Sequence, residues 1–440
     1  MRATIVCAVR NDAAMTRRRQ RGVVMVLVAI ALLALIAIAA LALDGAHVVL
    51  NKARLQSTLD AAALAAAKVL DQTNSTAQAT TAANSVFALN AAQYPELRKA
   101  VGNGLTMSTE FSGTLIPFSA GTTPAKFVRT KISNFPTAMS LAGVLGIISI
   151  NVGGSAVAGP SPSLQEYCDI VPVLMCASSA ASPPLYGYTV NQVLGLKQIP
   201  ASNVQSSNLG PGNYNLLSFG STGAAVVRQN LAGSYANCAT IGNTVLTEPG
   251  VAAGPVAQGL NTRFDDFSGP MGGTQAQYPP DVIGCPNAAN CPTSETQLTW
   301  NNCNGNTSGC TVGVQQGSGA TATTVTTAAD ITENWASYQS RLPSGPYDVQ
   351  PVPSGIGVPQ RRVMALPIGD CTAGVNGRGN VPVLGFACVF LLQPVQQSTG
   401  QIFAQVISGC DAQGQVGANP GPGPLPHKIQ LYKSAGSPDS

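Results

Sequence analysis

Histidine, charge and aromatic rings are all scarce in this chain. Its only histidines are His47 and His427, and both stand in stretches that favour solvated or interfacial side chains. A Ser-His-Asp site would have to use one of them, and a catalytic cysteine would need one as its partner. No cysteines stand in the CxxC spacing typical of zinc sites. The sequence therefore predicts a protein that is not an enzyme, with no catalytic residue, no cofactor and no metal ion.

Charged residues make up only 10% of the chain, a balance typical of loop-rich and β-rich proteins outside the cytoplasm. The first 21 residues hold six Arg and one Asp, a net charge of +5. Removing them from the total of 23 Lys and Arg and 19 Asp and Glu leaves 17 against 18, a net charge of −1. The remainder predicts no basic face for nucleic acid, and it identifies no small-molecule substrate.

Aliphatic residues, by contrast, are abundant near the N-terminus. Val23 to Leu43 is a run of 21 residues without a charge, a Gly or a Pro. As an α-helix at ~1.5 Å per residue, this run spans the ~30 Å hydrocarbon core of a bilayer. The arginines before it favour a cytoplasmic N-terminus. We predict a single-pass protein of the inner (cytoplasmic) membrane, with residues 1–21 as a cytoplasmic basic tail, residues 22–43 as the span and the C-terminal region periplasmic or extracellular.

Two kinds of processing compete with a permanent anchor. Ala40-Leu41-Ala42 fits the pattern cut by signal peptidase, but the apolar run exceeds the ~7–15 residues usual for a signal. Arg21-Gly22 supplies the glycine of a prepilin-type site, but Leu27 stands where such leaders have Glu. We interpret the segment as an uncleaved anchor, with cleavage as the open alternative.

The helix is predicted to continue beyond the membrane, because residues 44–71 contain no Pro and only Gly45 as a weak point. Six of the seven residues from Ala61 to Ala67 are Ala, and small side chains let another helix or sheet approach closely. At 100° per residue one stripe of this exit helix is apolar. It is either a packing surface for a partner subunit or the face that carries the chain's own globular domain. This packing stripe consists of Leu55, Leu59, Ala62, Ala63, Ala66 and Leu70.

The remainder of the chain predicts an α+β protein. Residues 44–160 read as the Ala-rich exit helix followed by a pilin-like α/β segment. Residues 161–440 read as a β-rich extracytoplasmic domain with disulfides and a loop-rich insert at about 200–350. The stretch "TAMSLAGVLG" predicts a short helix between two strands, and Lys428–Tyr432 predicts a short strand near the C-terminus.

Ten of the 11 cysteines lie beyond the predicted span. An even number on the oxidising side of a membrane indicates disulfides. Cys388 shares one strand face with Phe386 and Phe390, which predicts that it is buried. The pairs closest in sequence are the first connectivity to test: Cys168 with Cys176, Cys285 with Cys291, and Cys303 with Cys310.

Four features follow one another around the apolar run: Arg21-Gly22, Asp44, Leu55-Gln56 and Asp60–Ala67. This order resembles the N-terminal segment of TadE/TadG-like Tad (Flp) pilus-assembly proteins. The resemblance implies a structural or assembly component of a Tad-type pilus or its envelope machinery. Its partners would be the lipid bilayer and other pilus-assembly proteins or pilin helices.

A looser similarity to the large extracytoplasmic part of some Tad-like proteins covers Gly210–Asp266. Leu27, in place of Glu, points to the unprocessed TadG kind. Some TadG proteins carry a metal site that begins Asp-x-Ser-x-Ser, but Asp266–Pro270 has Pro in the last position, so no such site is implied. The alternative function is a surface adhesin or binding module that uses residues 200–350. An extracytoplasmic enzyme is disfavoured by the missing site residues.

Overall fold

The computed structural model describes the following residues: 21–139, 141–162, 164–177, 183–197, 213–219, 222–233, 238–250, 252–284, 297–301, 311–314, 323–342, 350–410, 413–416 and 426–433. The fold is α+β, as the sequence predicts. A long N-terminal helix leads into a small module of helices on a sheet. A larger β-rich module with disulfides follows.

The first helix, α1, runs from Arg21–Thr73 without a break, a length of 53 residues. At ~1.5 Å per residue it is about 80 Å long. Within the described residues it is the one helix long and apolar enough to cross a membrane, and its most apolar window has a mean hydropathy of 3.2 and no buried residue. The predicted continuation of the span into an exit helix is therefore confirmed.

Two further helices fold back along the second half of α1. Helix α2 (Thr76–Ala91) begins after Asn74, whose positive φ of 53° reverses the chain, a conformation that Asn adopts more readily than most residues. The Ser75 side chain accepts a hydrogen bond from Gln78 N and caps the new helix. Helix α3 (Pro95–Gly102) starts at a proline, which suits a first helical position.

A four-stranded antiparallel sheet lies against these helices. Its strands are β1 (Ser108–Ser112), β2 (Phe127–Ala138), β3 (Ser149–Pro160) and the C-terminal β19 (Ile429–Tyr432), in the order β1-β2-β3-β19. Because β19 lies on the outer edge of β3, the predicted C-terminal strand completes this sheet. We call residues 44–160 together with β19 the N-terminal module, and the described residues from 161 to 427 the C-terminal module.

The sheet approaches α1 closely. A Cβ on Gly154 would lie 3.0 Å from Gln56 Oε1 and 3.2 Å from Leu59 Cδ1, so a larger residue there would require these side chains to move by a few tenths of an ångström. Thr130 Oγ1 donates to Leu59 O at 3.0 Å, and Gln56 Nε2 donates to Ser155 O at 2.9 Å. Direct side-chain bonds to the backbone thus fix the level at which the sheet meets the helix.

The C-terminal module is built on a seven-stranded sheet flanked by shorter ones. Its large sheet has the order β5-β15-β16-β17-β6, with β9 paired to β16 and β7 paired to β9. The smaller sheets are β10-β11-β12, β13-β14 and β18-β4-β8. The strands are β4 (Leu164–Cys168), β5 (Met175–Cys176), β6 (Val193–Lys197), β7 (Asn213–Ser218), β8 (Cys238–Thr240), β9 (Thr244–Pro249), β10 (Leu298–Asn301), β11 (Thr311–Val314), β12 (Thr323–Thr324), β13 (Gln350–Val352), β14 (Gly355–Gly357), β15 (Val363–Gly369), β16 (Asn380–Leu391), β17 (Ile402–Ile407) and β18 (Gln413–Val416). The helices are α4 (Ala224–Ala232), α5 (Ala253–Asn261) and α6 (Trp335–Arg341).

Strand β16 is covered on both faces, which explains its nearly continuous apolar sequence. Phe386, Cys388 and Phe390 belong to one buried cluster, with α6. The residues between them face a second buried cluster, beneath α4 and α5. The predicted burial of Cys388 is confirmed.

The described parts of residues 200–350 help to build this core. Their strands and helices supply Leu217, Leu231, Val256, Leu260 and Tyr338, all of which are buried. The described segments between residues 200 and 350 thus pack apolar side chains into the two clusters, and the loop-rich insert stays a prediction.

Three disulfides join described residues: Cys168–Cys238, Cys176–Cys371 and Cys388–Cys410. The expected short loop between Cys168 and Cys176 is corrected, because strand pairing separates the two. Strand β4 pairs with β8, which sets Cys168 opposite Cys238, while β5 pairs with the end of β15 and brings Cys176 beside Cys371. The other four candidates, Cys285, Cys291, Cys303 and Cys310, lie outside the described residues.

Candidate functional site

The candidate site is the point at which α1 leaves its apolar run and enters the N-terminal module. The first residue after the run, Asp44, is only 2% exposed. Its Oδ2 accepts hydrogen bonds from Leu141 N at 2.9 Å and from Ala142 N at 2.6 Å. These amides open the short 3₁₀ helix Ala142–Leu145 in the β2–β3 connection, and a carboxylate satisfies such amides well. Asp44 therefore fastens that connection to α1.

A second contact joins α1 to the start of α3. Glu96 stands in the first turn of α3. Its Oε1 lies 2.8 Å from His47 Nε2, and its Oε2 accepts a hydrogen bond from Asn51 Nδ2 at 2.9 Å. One turn further along α1, the Arg54 guanidinium carbon lies 5.3 Å from the ring centroid of Tyr94. The corner between α2 and α3 is thereby held against the same stretch of α1.

The residues of α1 in these contacts are spaced three, four and three apart: Asp44, His47, Asn51 and Arg54. That spacing places them along one side of a helix. We call this row the exit clamp. The row lies beside the packing stripe, so polar and apolar contacts hold neighbouring sides of the helix to the same module. The sequence predicts a solvated or interfacial His47, and the structure adds its contact with Glu96.

The packing stripe itself lies inside the N-terminal module. All six of its side chains are at most 2% exposed, and they share one buried cluster with residues of α2, β2 and β3. Of the two interpretations, the one in which the chain's own domain covers the stripe matches this structure. The stripe, Leu55, Leu59, Ala62, Ala63, Ala66 and Leu70, offers no free surface to a partner subunit.

The far end of α1 contacts the C-terminal module. His427 Nε2 lies 2.9 Å from Asp71 Oδ1, and Gln339 Nε2 donates to Gln72 O at 2.5 Å. The side chain of His427 is mostly buried, at 13% exposure, which corrects its interpretation as solvated. One continuous helix thus runs from the apolar segment to the boundary between the two modules.

Buried ionisable groups mark many enzyme sites, and the C-terminal module contains one such cluster. Tyr338 Oη donates to Asp281 at 2.9 Å, and the amides of Ile283 and Arg362 donate to the same carboxylate. Burial raises the pKa of Asp281 and holds the pKa of Tyr338 well above its usual value. Arg362 bonds Glu333 Oε1 at 2.7 Å.

Three side chains of this cluster are fully buried. Asp281, Tyr338 and Arg362 have no exposed surface. Arg362 also donates to the carbonyls of Leu391 and Leu392, so its guanidinium is committed to the core. Asp281, Tyr338 and Arg362 thus cross-link the core of the module, while Glu333, bonded to Arg362, lines a cavity together with Leu298 and Ile331.

Within the described residues, one group of three side chains has the spacing of metal ligands: Glu166, Cys168 and Cys238. The two sulfur atoms are bonded to each other in a disulfide, and only a free thiolate binds a metal strongly. In this oxidised state the group is a cross-link between β4 and β8.

Residues 22–69 match the family model described as "Putative Flp pilus-assembly TadE/G-like". The N-terminal segment is therefore similar to TadE/G-like proteins. The match begins at the apolar run, includes the exit clamp and ends within the packing stripe, so it covers the part of α1 that joins the apolar run to the N-terminal module. No match was found among curated proteins or among solved structures.

The TadE/G-like segment and the candidate membrane helix together fit a pilus-assembly component. The family suggests a structural rather than catalytic role, and it suggests protein partners within pilus machinery. The match does not separate the TadE kind from the TadG kind, so assignment to the TadG kind stays a prediction.

Sequence reasoning singled out Asp44 for its place in the family pattern but did not assign its contact. The amides that bond Asp44, and the Glu96 carboxylate that contacts His47 and Asn51, all lie 45 or more residues away along the chain. The available signal was the row of polar residues at helical spacing immediately after the apolar run.

Proposed function

We propose that this chain is a membrane-anchored structural component of a Tad-type pilus or of its envelope machinery, acting by protein–protein packing. Its N-terminal tail would lie in the cytoplasm, α1 would cross the inner membrane, and both modules would lie in the periplasm or beyond it. The observation that carries the proposal is the position of the family match, which falls on the helix that joins the apolar run to the folded module.

The contacts of α1 support a mechanical role. Because the helix continues unbroken through Asp44 and is held by the exit clamp, the N-terminal module cannot swing freely about the span. A partner that moves the span would therefore move the module, and a load on the module would reach the span.

The surface open to partner helices is the span itself. Its large side chains from Val24 to Leu43 are exposed, whereas the packing stripe is covered. Partner helices within the bilayer would then contact the apolar half of α1.

Membrane fractionation combined with protease accessibility tests the anchor. We expect the chain to remain with inner membranes after an alkaline wash, at its full uncleaved mass. The modules should be digested in spheroplasts, and digestion in intact cells as well would distinguish an extracellular location from a periplasmic one. A soluble product that begins near Leu43, or modules that resist protease until the inner membrane is broken, would contradict this topology.

Complementation of a deletion strain tests the assembly role. We expect loss of pili by electron microscopy without the gene, and recovery with the full chain. A variant whose residues 23–43 are replaced by an unrelated apolar span is the sharper probe, because it preserves anchoring but removes the surface for partners. It should fractionate with membranes yet fail to restore pili. Normal piliation in the deletion strain would exclude the proposal.

The same strain separates this role from the adhesin alternative. An adhesin predicts that pili remain visible while attachment is lost. Deleting residues 200–350 is unsuitable for that purpose, because segments there build the core of the C-terminal module.

A further inference from the structure

The β2–β3 connection exposes a patch of aliphatic side chains. Residues 138–151, which we call the hairpin tip, contain no charged residue. Exposed fractions are 41% for Leu141, 48% for Ile147, 76% for Ile148 and 42% for Ile150. Such a concentration of exposed apolar groups on a folded protein marks a surface with a function.

The hairpin tip lies at the level at which the apolar run of α1 ends. Its amides at Leu141 and Ala142 are bonded directly to Asp44. The strand lengths agree with this position. From Thr130, which bonds Leu59, eight residues of β2 to Ala138 cover about 26 Å at ~3.3 Å each. The fifteen residues of α1 from Leu59 back to Asp44 cover about 22 Å at ~1.5 Å each.

The backbone of the tip is suited to an apolar medium, in which unpaired amides and carbonyls are costly. Met139 N donates to Ile148 O at 3.0 Å, Gly146 N to Gly143 O at 3.0 Å, and Ile147 N to Ala142 O at 3.2 Å. Asp44 accepts from two more amides. The apolar side chains therefore project from a turn whose described amides are largely satisfied internally.

We propose that the hairpin tip inserts into the acyl-chain boundary of the bilayer leaflet from which α1 emerges. The occupant of this surface is the hydrocarbon of the phospholipid, since the tip carries no charge to select a headgroup. The inference rests on the proposed membrane anchor. The exposed apolar residues Leu41 and Leu43 directly precede Asp44, which bonds the tip.

A second point of insertion constrains how the protein sits in the membrane. A single span leaves rotation about its own axis free, and tilt is set by neighbouring anchors. With the tip inserted beside α1, the N-terminal module has one face turned to the membrane. The C-terminal module, held at the far end of α1, is then oriented with it.

Tryptophan quenching by brominated lipid tests the inference. The full chain carrying Ile148→Trp is reconstituted into vesicles of phosphatidylcholine with brominated acyl chains. Its matched control carries Ile116→Trp. Ile116 is 84% exposed and lies in the β1–β2 connection, at the opposite end of the sheet from the tip. The native Trp300 and Trp335 contribute the same background to both.

We expect the fluorescence that Ile148→Trp adds to be blue-shifted in vesicles and mostly quenched when the acyl chains are brominated. The fluorescence that Ile116→Trp adds should be neither shifted nor quenched. Ile147→Trp is a second reporter and should behave as Ile148→Trp does. Flotation of the same vesicles after an alkaline wash reports anchoring separately. A chain that floats but shows equal quenching at Ile148 and Ile116 overturns the insertion of the tip alone. A chain that does not float overturns the anchor and the tip together.

Discussion

The two halves of α1 differ in composition and in environment. From Val24 to Leu43 no residue is charged and every large side chain is exposed, whereas from Leu55 to Leu70 one side of the helix is fully buried. The difference lies in residue size and in patterning. Large aliphatics on every side suit lipid, while small alanines on one side let β3 and α2 approach closely. A helix can therefore serve membrane and module in turn without a break between them.

The same substitution in each half should separate these roles, with the largest effect in the buried half. Ala63→Asp places an unpaired charge in the core, at a cost of about 3–5 kcal/mol. We expect the N-terminal module to lose protease resistance while the chain stays in the membrane. Ala34→Asp, in the span, should instead weaken membrane attachment while the N-terminal module keeps its protease resistance.

An Asp at the centre of a span raises the free energy of membrane insertion by about 2.5–3.5 kcal/mol. The thirteen large aliphatic residues together lower the same free energy by roughly 4 to 8 kcal/mol. Partial release by alkaline wash is the expected result for Ala34→Asp, with the modules still folded. Equal protease resistance in Ala63→Asp and the wild-type chain would contradict the burial of the packing stripe.

The comparison extends to the two modules, since the described disulfides all lie in the C-terminal one. Replacing Cys176 and Cys371 by Ala removes a cross-link over 195 residues, which should lower the free energy of unfolding of that module by about 2–5 kcal/mol. Replacing Cys388 and Cys410, which close 22 residues, should cost about 2 kcal/mol less by the same chain-entropy account. Denaturant unfolding followed by tryptophan fluorescence measures both.

Protease resistance of the N-terminal module serves as the control for the disulfide variants. It should be unchanged, because none of these bonds is formed within it. If both modules unfolded together in the Cys176 and Cys371 variant, the two could not be treated as separate in stability.

Asp44, at the boundary between the two halves of α1, allows a smaller test. Asp44→Ala removes the acceptor for Leu141 N and Ala142 N, and the loss of such a cap costs about 0.5–2 kcal/mol. Hydrogen exchange at those two amides should accelerate, with little change at Thr130. Asp44→Asn retains an acceptor oxygen and should have a weaker effect. Unchanged exchange in Asp44→Ala would show that the hydrogen bonds contribute nothing.

The smallest predicted effect is a pH dependence within the C-terminal module. Burial raises the folded-state pKa of Asp281, whereas its unfolded-state pKa is about 3.9. The folded state therefore holds the proton to higher pH than the unfolded state, so stability falls as pH rises from about 4 through the folded-state pKa. Asp281→Asn cannot ionise. In thermal unfolding, the stability of Asp281→Asn relative to wild type should therefore increase as pH rises through that range. A difference in stability that does not change with pH would contradict the prediction.

Local patterns were sufficient for much of the fold. The charge-free run predicted the span, the alanines predicted close packing, and alternation within β16 predicted the burial of Cys388. Disulfide pairing could not be read in this way, because β4 meets β8 and β5 meets β15 only after long stretches of chain have been folded between them. The exit clamp was partly visible, since its residues on α1 have helical spacing but their partners are distant.

By itself, the sequence determined the long apolar helix that could cross a membrane, because a helix satisfies the backbone of twenty-one consecutive apolar residues internally wherever they occur. It also determined that α1 continues, since local propensity and the absence of Pro act over a few residues. Only the tertiary structure decided that the chain's own sheet would cover the packing stripe and that β19 would complete that sheet. It likewise set an uncharged hairpin beside Asp44. Those outcomes depend on contacts between residues far apart in the chain. Such contacts stabilise the fold only when both partners are in place.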